Sequence, residues 1–380
     1  MAAMKKAGSV FASFFLALFS YGLILPARGG AQVRVETGRV SLNGEVQFVF
    51  DMIQEDRDNN QPRVEDFQVR YPRFALSGEL GRYAGFYLRG ELDSSTSDIP
   101  ILLDAKIDLK PLSFLTVSVG RFLPAWTLYL PADIHNLDTL RYPLMVDPQT
   151  ATFNPGRQTG ADLVFHFGGS VDLHAGVFNG LNRPNNFDDN DDKKDYLISL
   201  EARLREHSRL VAGYYAGDFH VDEVTLAPGE SVTLPSGQTL TNTTNNPLSV
   251  GGNNVHHASV DFGLAGNLAQ DRVRVRAEYL HHQSESQGST LVKSLGYLLH
   301  LGVVPIRRIE LLGRYEFLDP DTGTARNELA WTTVGLNLGI NDHARASVNY
   351  IFKYESGVEV SQGGNRAHND ELLAGITLWW

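Results

Sequence analysis

The chain has 380 residues, no cysteine and a formal net charge of −11 at pH 7. The lack of cysteine excludes a disulfide framework and lipoprotein attachment. The acidic balance argues against nucleic acid as a partner, because phosphates call for clustered lysines and arginines.

The N-terminus is typical of a secretory signal peptide. A lysine pair is followed by an apolar run over residues 10–25, and small residues stand at 29–31, where a signal peptidase would read them. The run is shorter than the roughly 20 residues that a membrane-spanning helix needs. We expect residues 1–31 to be a cleaved signal peptide and residues 32–380 to form the mature domain. A retained signal anchor is the alternative.

Alternation of apolar and polar side chains recurs along the mature chain. Between Ala344 and Tyr354, for example, apolar or small residues alternate mostly with polar ones. Such a period of two predicts strands with one face toward lipid and the other toward water. A soluble β-sandwich would also alternate.

The number of strands and the spacing of their connections favour a barrel. Sixteen strands are predicted near residues 40–53, 67–80, 83–93, 99–110, 115–122, 159–167, 171–179, 196–204, 209–221, 256–264, 273–283, 291–302, 309–318, 327–340, 344–354 and 369–380. The long connections fall on alternate joints, as in outer-membrane barrels with short periplasmic turns and longer outer loops. We therefore predict an all-β fold, a transmembrane antiparallel up-and-down β-barrel of about sixteen strands.

The last predicted strand ends on the aromatic Trp380, and other aromatic residues stand near the predicted strand ends. Membrane barrels carry aromatic girdles at these places and must pair the last strand with the first. An ordinary edge strand of a soluble β-protein is the alternative interpretation of the C-terminal segment.

Two stretches resemble the phosphate-selective porin O and P family of trimeric sixteen-stranded outer-membrane porins. Residues 66–78 (DFQVRYPRFALSG) are similar to the second strand of that family, and residues 104–107 with 115–124 (LTVSVGRFLP) to the strand and turn that lead into its third loop. The resemblance implies a bacterial outer-membrane location, a homotrimer and an inward-folded third loop. The chain departs from the family pattern after Pro124, where Ala-Trp-Thr replaces the usual Phe-Gly.

A barrel of sixteen strands encloses a water-filled lumen, whose wall charges influence selectivity. By alternation, the predicted pore-lining basic residues are Arg73, Arg89, Lys106, Arg203, Arg274, Arg276, Arg314 and Arg345. A similar number of acidic residues faces the same way, so a mixed lining is expected.

The connection over residues 123–158 is the candidate constriction loop, because it is far longer than a cap requires. The predicted constriction residues are Arg121, Asp133, His135, Asp138, Arg141 and Arg157. We expect Arg141 and Asp138 to face each other and set the local field, with Arg157 near the exit. Solvated or loop-bracing roles are the alternative for all of them.

Two histidine pairs, at 256–257 and 281–282, stand on neighbouring predicted strands at positions symmetric about their turn. His257 and His282 are expected to point into the lumen, where two imidazoles can hold a transition metal. A plain polar pair is the simpler interpretation. No metal and no cofactor is predicted.

These observations predict a porin for diffusion of small hydrophilic solutes or inorganic ions, with phosphate or other anions among the candidates, in contact with lipid and lipopolysaccharide. An enzyme is not predicted, because serine and histidine residues are scattered and no Gly-x-Ser-x-Gly elbow is present. The alternatives are an outer-membrane enzyme or adhesin built on the same barrel, and a soluble secreted glycan-binding β-protein.

Overall fold

The structure is a computed structural model. It describes residues 31–35, 38–54, 63–92, 101–130, 133–147, 156–180, 192–205, 208–221, 224–229, 231–233, 239–241, 246, 248–250, 253–286, 291–356 and 369–380. The predicted signal peptide lies outside the described residues except for Ala31, the first residue of a short strand.

The described residues are almost entirely β-structure. The strands are β1 (Ala31–Val35), β2 (Gly38–Ile53), β3 (Val64–Leu80), β4 (Ala84–Glu91), β5 (Ile101–Leu112), β6 (Leu115–Phe122), β7 (Gln158–Phe167), β8 (Val171–Phe178), β9 (Asp195–Arg205), β10 (Ser208–Val221), β11 (Val224–Leu226), β12 (Ser231–Thr233), β13 (Thr239–Thr241), β14 (Leu248–Val250), β15 (Asn253–Leu268), β16 (Val273–Ser286), β17 (Val292–Ile306), β18 (Ile309–Asp319), β19 (Leu329–Asn341), β20 (Ala344–Glu355) and β21 (Glu371–Trp379). One turn of 3₁₀-helix, Ile134–Asn136, lies between β6 and β7. Within these ranges, no helix is long and apolar enough to cross a membrane.

Sixteen strands, β2–β10 and β15–β21, pair antiparallel in chain order and close into a barrel. Closure joins β2 to β21, with Glu45 opposite Trp379 and Ile53 opposite Glu371. Strand β1 pairs with the start of β2 and extends the same sheet. The predicted sixteen-stranded barrel is confirmed. The short strands β11–β14, which were not predicted, form two separate ribbons between β10 and β15 in the chain.

Alternating burial shows which face of each strand points inward. On β17, Leu299 and Leu301 are 56% and 51% exposed, whereas His300 between them is fully buried. On β18, Leu311 is exposed and Arg314 is buried. The outer face is therefore apolar and the inner face polar, as a membrane barrel requires.

Short turns join alternate strands at one end of the barrel. They cover residues 81–83, 113–114, 168–170, 269–272, 307–308 and 342–343. In the turn between β7 and β8, Gly168 and Gly169 have φ values of +59° and +72°, a conformation that glycine adopts without steric cost. The amide of Trp379 donates to the carbonyl of His343 at 3.0 Å, which places the C-terminus at this end.

Candidate channel site

The segment between β6 and β7, described at residues 123–130 and 133–147, packs against the inner face of the barrel. We call it the β6–β7 segment. Its backbone amides donate to buried side chains of the wall: Leu128 to Glu278 Oε1 at 2.5 Å, and Leu144 to Glu316 Oε1 at 2.7 Å. A third amide, that of Leu140, donates to Asn349 Oδ1 at 2.8 Å. These bonds satisfy loop amides that would otherwise be buried without a partner.

Apolar contacts complete the attachment. The buried apolar side chains of the segment include Trp126, Leu128, Tyr129, Leu130, Ile134, Leu137, Leu140, Leu144, Met145 and Val146. Inward glycines of the wall make room for them: a Cβ on Gly263 would lie 2.8 Å from that of Leu128, and one on Gly296 would lie 3.0 Å from that of Met145. Sequence reasoning missed these glycines. Two sequence features could have indicated their role: the high apolar content of the segment, and the glycines at inward positions of β15 and β17.

A cluster of arginines surrounds Asp104 on the wall formed by β4, β5 and β6. Arg157 Nε donates to Asp104 Oδ1 at 2.9 Å, and Arg89 Nε lies 3.7 Å from Asp104 Oδ2. Arg89 also donates to Asp133 of the β6–β7 segment. Arg121 is buried within electrostatic range of Arg157 and Asp104. We call these five residues the Asp104 cluster. It contains three guanidinium groups and two carboxylates.

The next inward position of β5 carries a further ion pair. Lys106 Nζ lies 3.1 Å from Asp108 Oδ1, and the Ser118 hydroxyl donates to the same oxygen at 2.6 Å. Of the predicted constriction set, Arg121, Asp133 and Arg157 are brought together by the Asp104 cluster.

Asp138 belongs to a different group of contacts. Its Oδ2 accepts a hydrogen bond from Tyr129 at 2.9 Å, its Oδ1 lies 3.8 Å from His300 Nε2, and its carbonyl accepts from Asn337 at 2.9 Å. Burial raises the pKa of Asp138, but His300, Arg276 and the Tyr129 hydroxyl lower it further, so the pKa of this carboxyl lies below its ordinary value. Asp138 is therefore a buried carboxylate of the β6–β7 segment.

Arg141 has its own partners on β21, on β19 and within the β6–β7 segment. Its Nη1 donates to Glu371 Oε2 at 2.5 Å, and its Nε donates to Asp147 Oδ2 at 3.4 Å. The guanidinium lies 5.2 Å from the centroid of the Trp331 ring, a cation–π distance. These contacts differ from those of Asp138, so the side chains of Arg141 and Asp138, predicted to face each other, have separate partners.

His135 stands on the 3₁₀ turn and contacts the seam between β2 and β21. Its Nδ1 lies 3.0 Å from Glu45 Oε2, and its ring stacks on Trp379 with centroids 5.3 Å apart. Its carbonyl accepts a hydrogen bond from Arg345 Nη1 at 3.3 Å. The 3₁₀ turn therefore lies against the part of the wall where the barrel closes.

The predicted pore-lining basic residues are mostly matched by carboxylates. Carboxylate oxygens lie within 4.0 Å of seven of them: Arg73 (Glu91), Arg89 (Asp104), Lys106 (Asp108), Arg203 (Asp172), Arg274 (Glu310), Arg276 (Asp138) and Arg314 (Glu316). Arg345 instead donates to the carbonyl of His135. The expected mixture of basic and acidic groups is present in these contacts.

The histidine pairs lie on β15 and β16 in a diagonal arrangement. The register sets His257 opposite Ser284 and His282 opposite Ser259. His257 and His282 are both buried, with ring centroids 6.3 Å apart. His257 Nε2 is 2.9 Å from Asp195 Oδ1, and His282 Nδ1 is 2.8 Å from the Ser259 hydroxyl. Each imidazole thus has a protein partner of its own.

Comparison with solved structures finds the same barrel in several outer-membrane proteins. OmpT of Vibrio cholerae aligns with a TM-score of 0.63 at 10% identity, covering 92% of this chain and 99% of that one. The anion-selective porin of Comamonas acidovorans aligns with a TM-score of 0.65 at 15% identity, covering 90% and 100%. The outer-membrane channel DcaP of Acinetobacter baumannii gives 0.58 at 12% identity, covering 93% and 100%. A search of curated protein sequences finds no significant match.

A profile of the phosphate-selective porin O and P family matches residues 40–377, nearly the whole barrel. The resemblance seen in the first third of the sequence is thereby confirmed and extended. Family and fold point to a channel rather than to the alternative enzyme or adhesin. The chain belongs to the phosphate-selective porin O and P family and is a porin of the bacterial outer membrane.

Proposed function

We propose that the protein conducts small hydrophilic anions through a passage between the β6–β7 segment and the wall of β4, β5 and β6, with the segment as the constriction loop. The Asp104 cluster carries this proposal, because it is where basic side chains outnumber acidic ones. Its three arginines face two carboxylates.

Local charge decides the ion preference of such a passage. Over the remaining wall, most predicted lining cations have a carboxylate within 4.0 Å, so their fields largely cancel. The excess guanidinium of the Asp104 cluster is not cancelled in this way. Two unit charges 4 Å apart interact by about 1 kcal/mol even in bulk water, and more strongly near protein. A modest preference for anions follows.

Two further observations agree with an anion passage. The Comamonas acidovorans protein that shares the barrel is an anion-selective porin. The family that includes this chain is described by phosphate selectivity. Inorganic phosphate is therefore the first oxyanion to test, with chloride as the reference ion.

The test is the single-channel current of the purified protein in a planar bilayer under a potassium chloride gradient. We expect stepwise currents whose reversal potential reports a preference for chloride, and a reduced chloride current when phosphate is added. A reversal potential on the cation side would overturn the proposal. Ohmic steps without preference or phosphate effect would make the protein a general diffusion porin.

We propose further that the protein is a homotrimer. OmpT of Vibrio cholerae, which shares the barrel, has a structure described as a trimer form. Native mass spectrometry in a mild detergent is expected to give three times the chain mass. A spectrum with monomer alone would contradict this proposal and leave the channel proposal intact.

We propose that the exposed apolar residues of the outer face contact lipid. We propose also that the longer connections, which join the strands at the end opposite the short turns, contact lipopolysaccharide. Phe262, Leu299 and Leu311 are about half exposed on three different strands. A closed barrel satisfies its backbone hydrogen bonds internally, which permits this exposure to hydrocarbon.

A further inference from the structure

Asp138, His300 and Glu310 converge between the β6–β7 segment and the wall. One ligand atom from each lies within 4.8 Å of the other two. All three residues are buried, and the His300 side chain is fully so. They come from three separate elements, the β6–β7 segment, β17 and β18.

One oxygen of each carboxylate is occupied by a neighbour. Glu310 Oε2 accepts from Asn337 at 3.0 Å and from Arg274 at 3.2 Å, and Asp138 Oδ2 accepts from Tyr129 at 2.9 Å. Within the described residues, Glu310 Oε1 and both ring nitrogens of His300 are buried without a hydrogen-bond partner. Buried polar atoms are rarely left in this state. One ring nitrogen of His300 and Glu310 Oε1 can therefore coordinate an ion.

Gly302 provides the space for the side-chain ends of Glu310 and His300. A Cβ at Gly302 would collide with Glu310 Oε1 and would lie 3.3 Å from His300 Nε2. Any other residue at this inward position of β17 would therefore displace two of the three ligand atoms. The glycine leaves a small polar recess whose walls are a ring nitrogen and a carboxylate oxygen.

We propose that His300, Asp138 and Glu310 bind one divalent transition-metal ion, of which Zn²⁺ is the representative. An imidazole with two carboxylates is a donor set that Zn²⁺ accepts, at bond lengths of about 2.0–2.2 Å. Ca²⁺ and Mg²⁺ prefer all-oxygen sites, so the imidazole disfavours them. A tetrahedral site with such bonds places its ligand atoms roughly 3.4 Å apart, so a small inward movement of the side chains completes it.

The neighbouring residues fit the outer shell of a metal site. Tyr129, Asn337 and Arg274 hold the second carboxylate oxygens, and contacts of this kind orient metal ligands. Arg276 lies 4.0 Å from Asp138 Oδ2, and its charge opposes that of the metal. The arginine therefore weakens the affinity without occupying a ligand atom, which gives the proposal a second test.

A bound ion would join the β6–β7 segment to the wall. Asp138 is on the segment, whereas His300 and Glu310 are on adjacent wall strands. The ion would thus add a cross-link to a contact that is otherwise made by hydrogen bonds and apolar packing. Metal binding at this position does not depend on which solute passes through the channel.

The test uses the full-length protein in detergent, treated with a chelator and dialysed, then titrated with ZnCl₂ by calorimetry. We expect one zinc ion per chain, and a visible Co²⁺ ligand-field spectrum when cobalt replaces zinc. His300→Asn should weaken zinc binding by roughly tenfold or more, because it removes the nitrogen ligand. The control His174→Asn alters a histidine on β8 that pairs with Asp162 of β7, on strands that carry none of the three ligands, and should leave zinc binding unchanged.

A second variant, Arg276→Gln, tests the metal site even if the His300→Asn variant folds poorly. Removing this positive charge should tighten zinc binding. Absence of zinc binding and of a cobalt spectrum in the parent protein would overturn the proposal. Equal zinc affinity in the parent and in a folded His300→Asn variant, or unchanged affinity in Arg276→Gln, would do the same.

Discussion

At the residue scale, the Asp104 cluster shows how a channel can hold more positive than negative charge at low cost. Arg89 and Arg157 each contact a carboxylate and Arg121 lies within electrostatic range of Asp104, yet the total charge stays positive. Removing one cation or one anion should therefore move the ion preference in opposite directions.

Arg157→Gln is expected to shift the reversal potential toward cations, and Asp104→Asn toward anions. A unit charge about 4 Å from a passing ion in water is worth about 1 kcal/mol, and it acts with opposite sign on anions and cations. Each change should therefore alter the permeability ratio by roughly fivefold or more. The measurement is the zero-current potential under a salt gradient. Arg308→Gln is the control, because Arg308 is exposed at a short turn beside Asp342. Shifts of the same sign in both test variants would contradict the assignment.

A second prediction at this scale concerns stability. Arg141→Gln removes a cation from Glu371, whose side chain is fully buried and also contacts Lys353 Nζ at 2.7 Å. Breaking a buried ion pair costs roughly 3 kcal/mol or more. We expect the folded barrel to convert to the slower-migrating unfolded form at a lower temperature in a heat-modifiability gel.

The matched control for that variant is Arg63→Gln. Arg63 pairs with Glu65 at an exposed position, where an ion pair contributes little. Its midpoint temperature should equal that of the parent. An equal fall in midpoint temperature in the two variants would mean that burial does not strengthen the ion pair between Arg141 and Glu371.

At the element scale, the strands were predictable and the path of the β6–β7 segment was not. Alternation is a local property, so all sixteen barrel strands could be placed from the sequence. The contacts of the segment join residues far apart in the chain, such as Arg141 with Glu371 and Leu140 with Asn349. A single sequence carries no signal for such pairs. The three-residue strands β11–β14 were missed because alternation cannot be recognised over so few residues.

The position of the segment can be tested by a cross-link. The chain has no cysteine, so a pair introduced at Met145→Cys and Gly296→Cys has no competitor. A Cβ on Gly296 would be 3.0 Å from that of Met145, slightly closer than the 3.5–4.5 Å of ordinary disulfides. We expect a disulfide after mild oxidation, detected as a mass loss of two hydrogens, with channel conductance unchanged.

The control pair is Met145→Cys with Gly313→Cys. Gly313 belongs to β18, and a Cβ there would meet no atom within 4 Å. This pair should remain as free thiols. Failure of the Met145–Gly296 pair to cross-link in a folded barrel would show that the segment lies elsewhere in the membrane-embedded protein.

At the scale of the whole molecule, function depends on closure of the sheet. An open barrel would expose unpaired backbone groups to lipid, each at a cost of several kcal/mol. The seam is the pairing of β2 with β21, and near its centre Gly375 stands opposite Val49. The sequence predicted that the last strand would meet the first, but the close approach of backbones at this glycine depends on strand register and twist, which alternation does not specify.

Gly375→Ala should therefore impair closure more than an ordinary glycine substitution. A Cβ at Gly375 would collide with the backbone carbonyl of Phe48 and lie 3.2 Å from Val49 Cγ2. A backbone atom in a hydrogen-bonded ladder cannot rotate away as the end of a side chain can, so the strands must separate or slip. We expect a lower yield of folded barrel in refolding and a lower midpoint in the heat-modifiability gel, whereas Gly313→Ala should behave as the parent. Equal folding of both variants would mean that the seam accommodates a methyl group, and that closure is no more sensitive there than elsewhere in the wall.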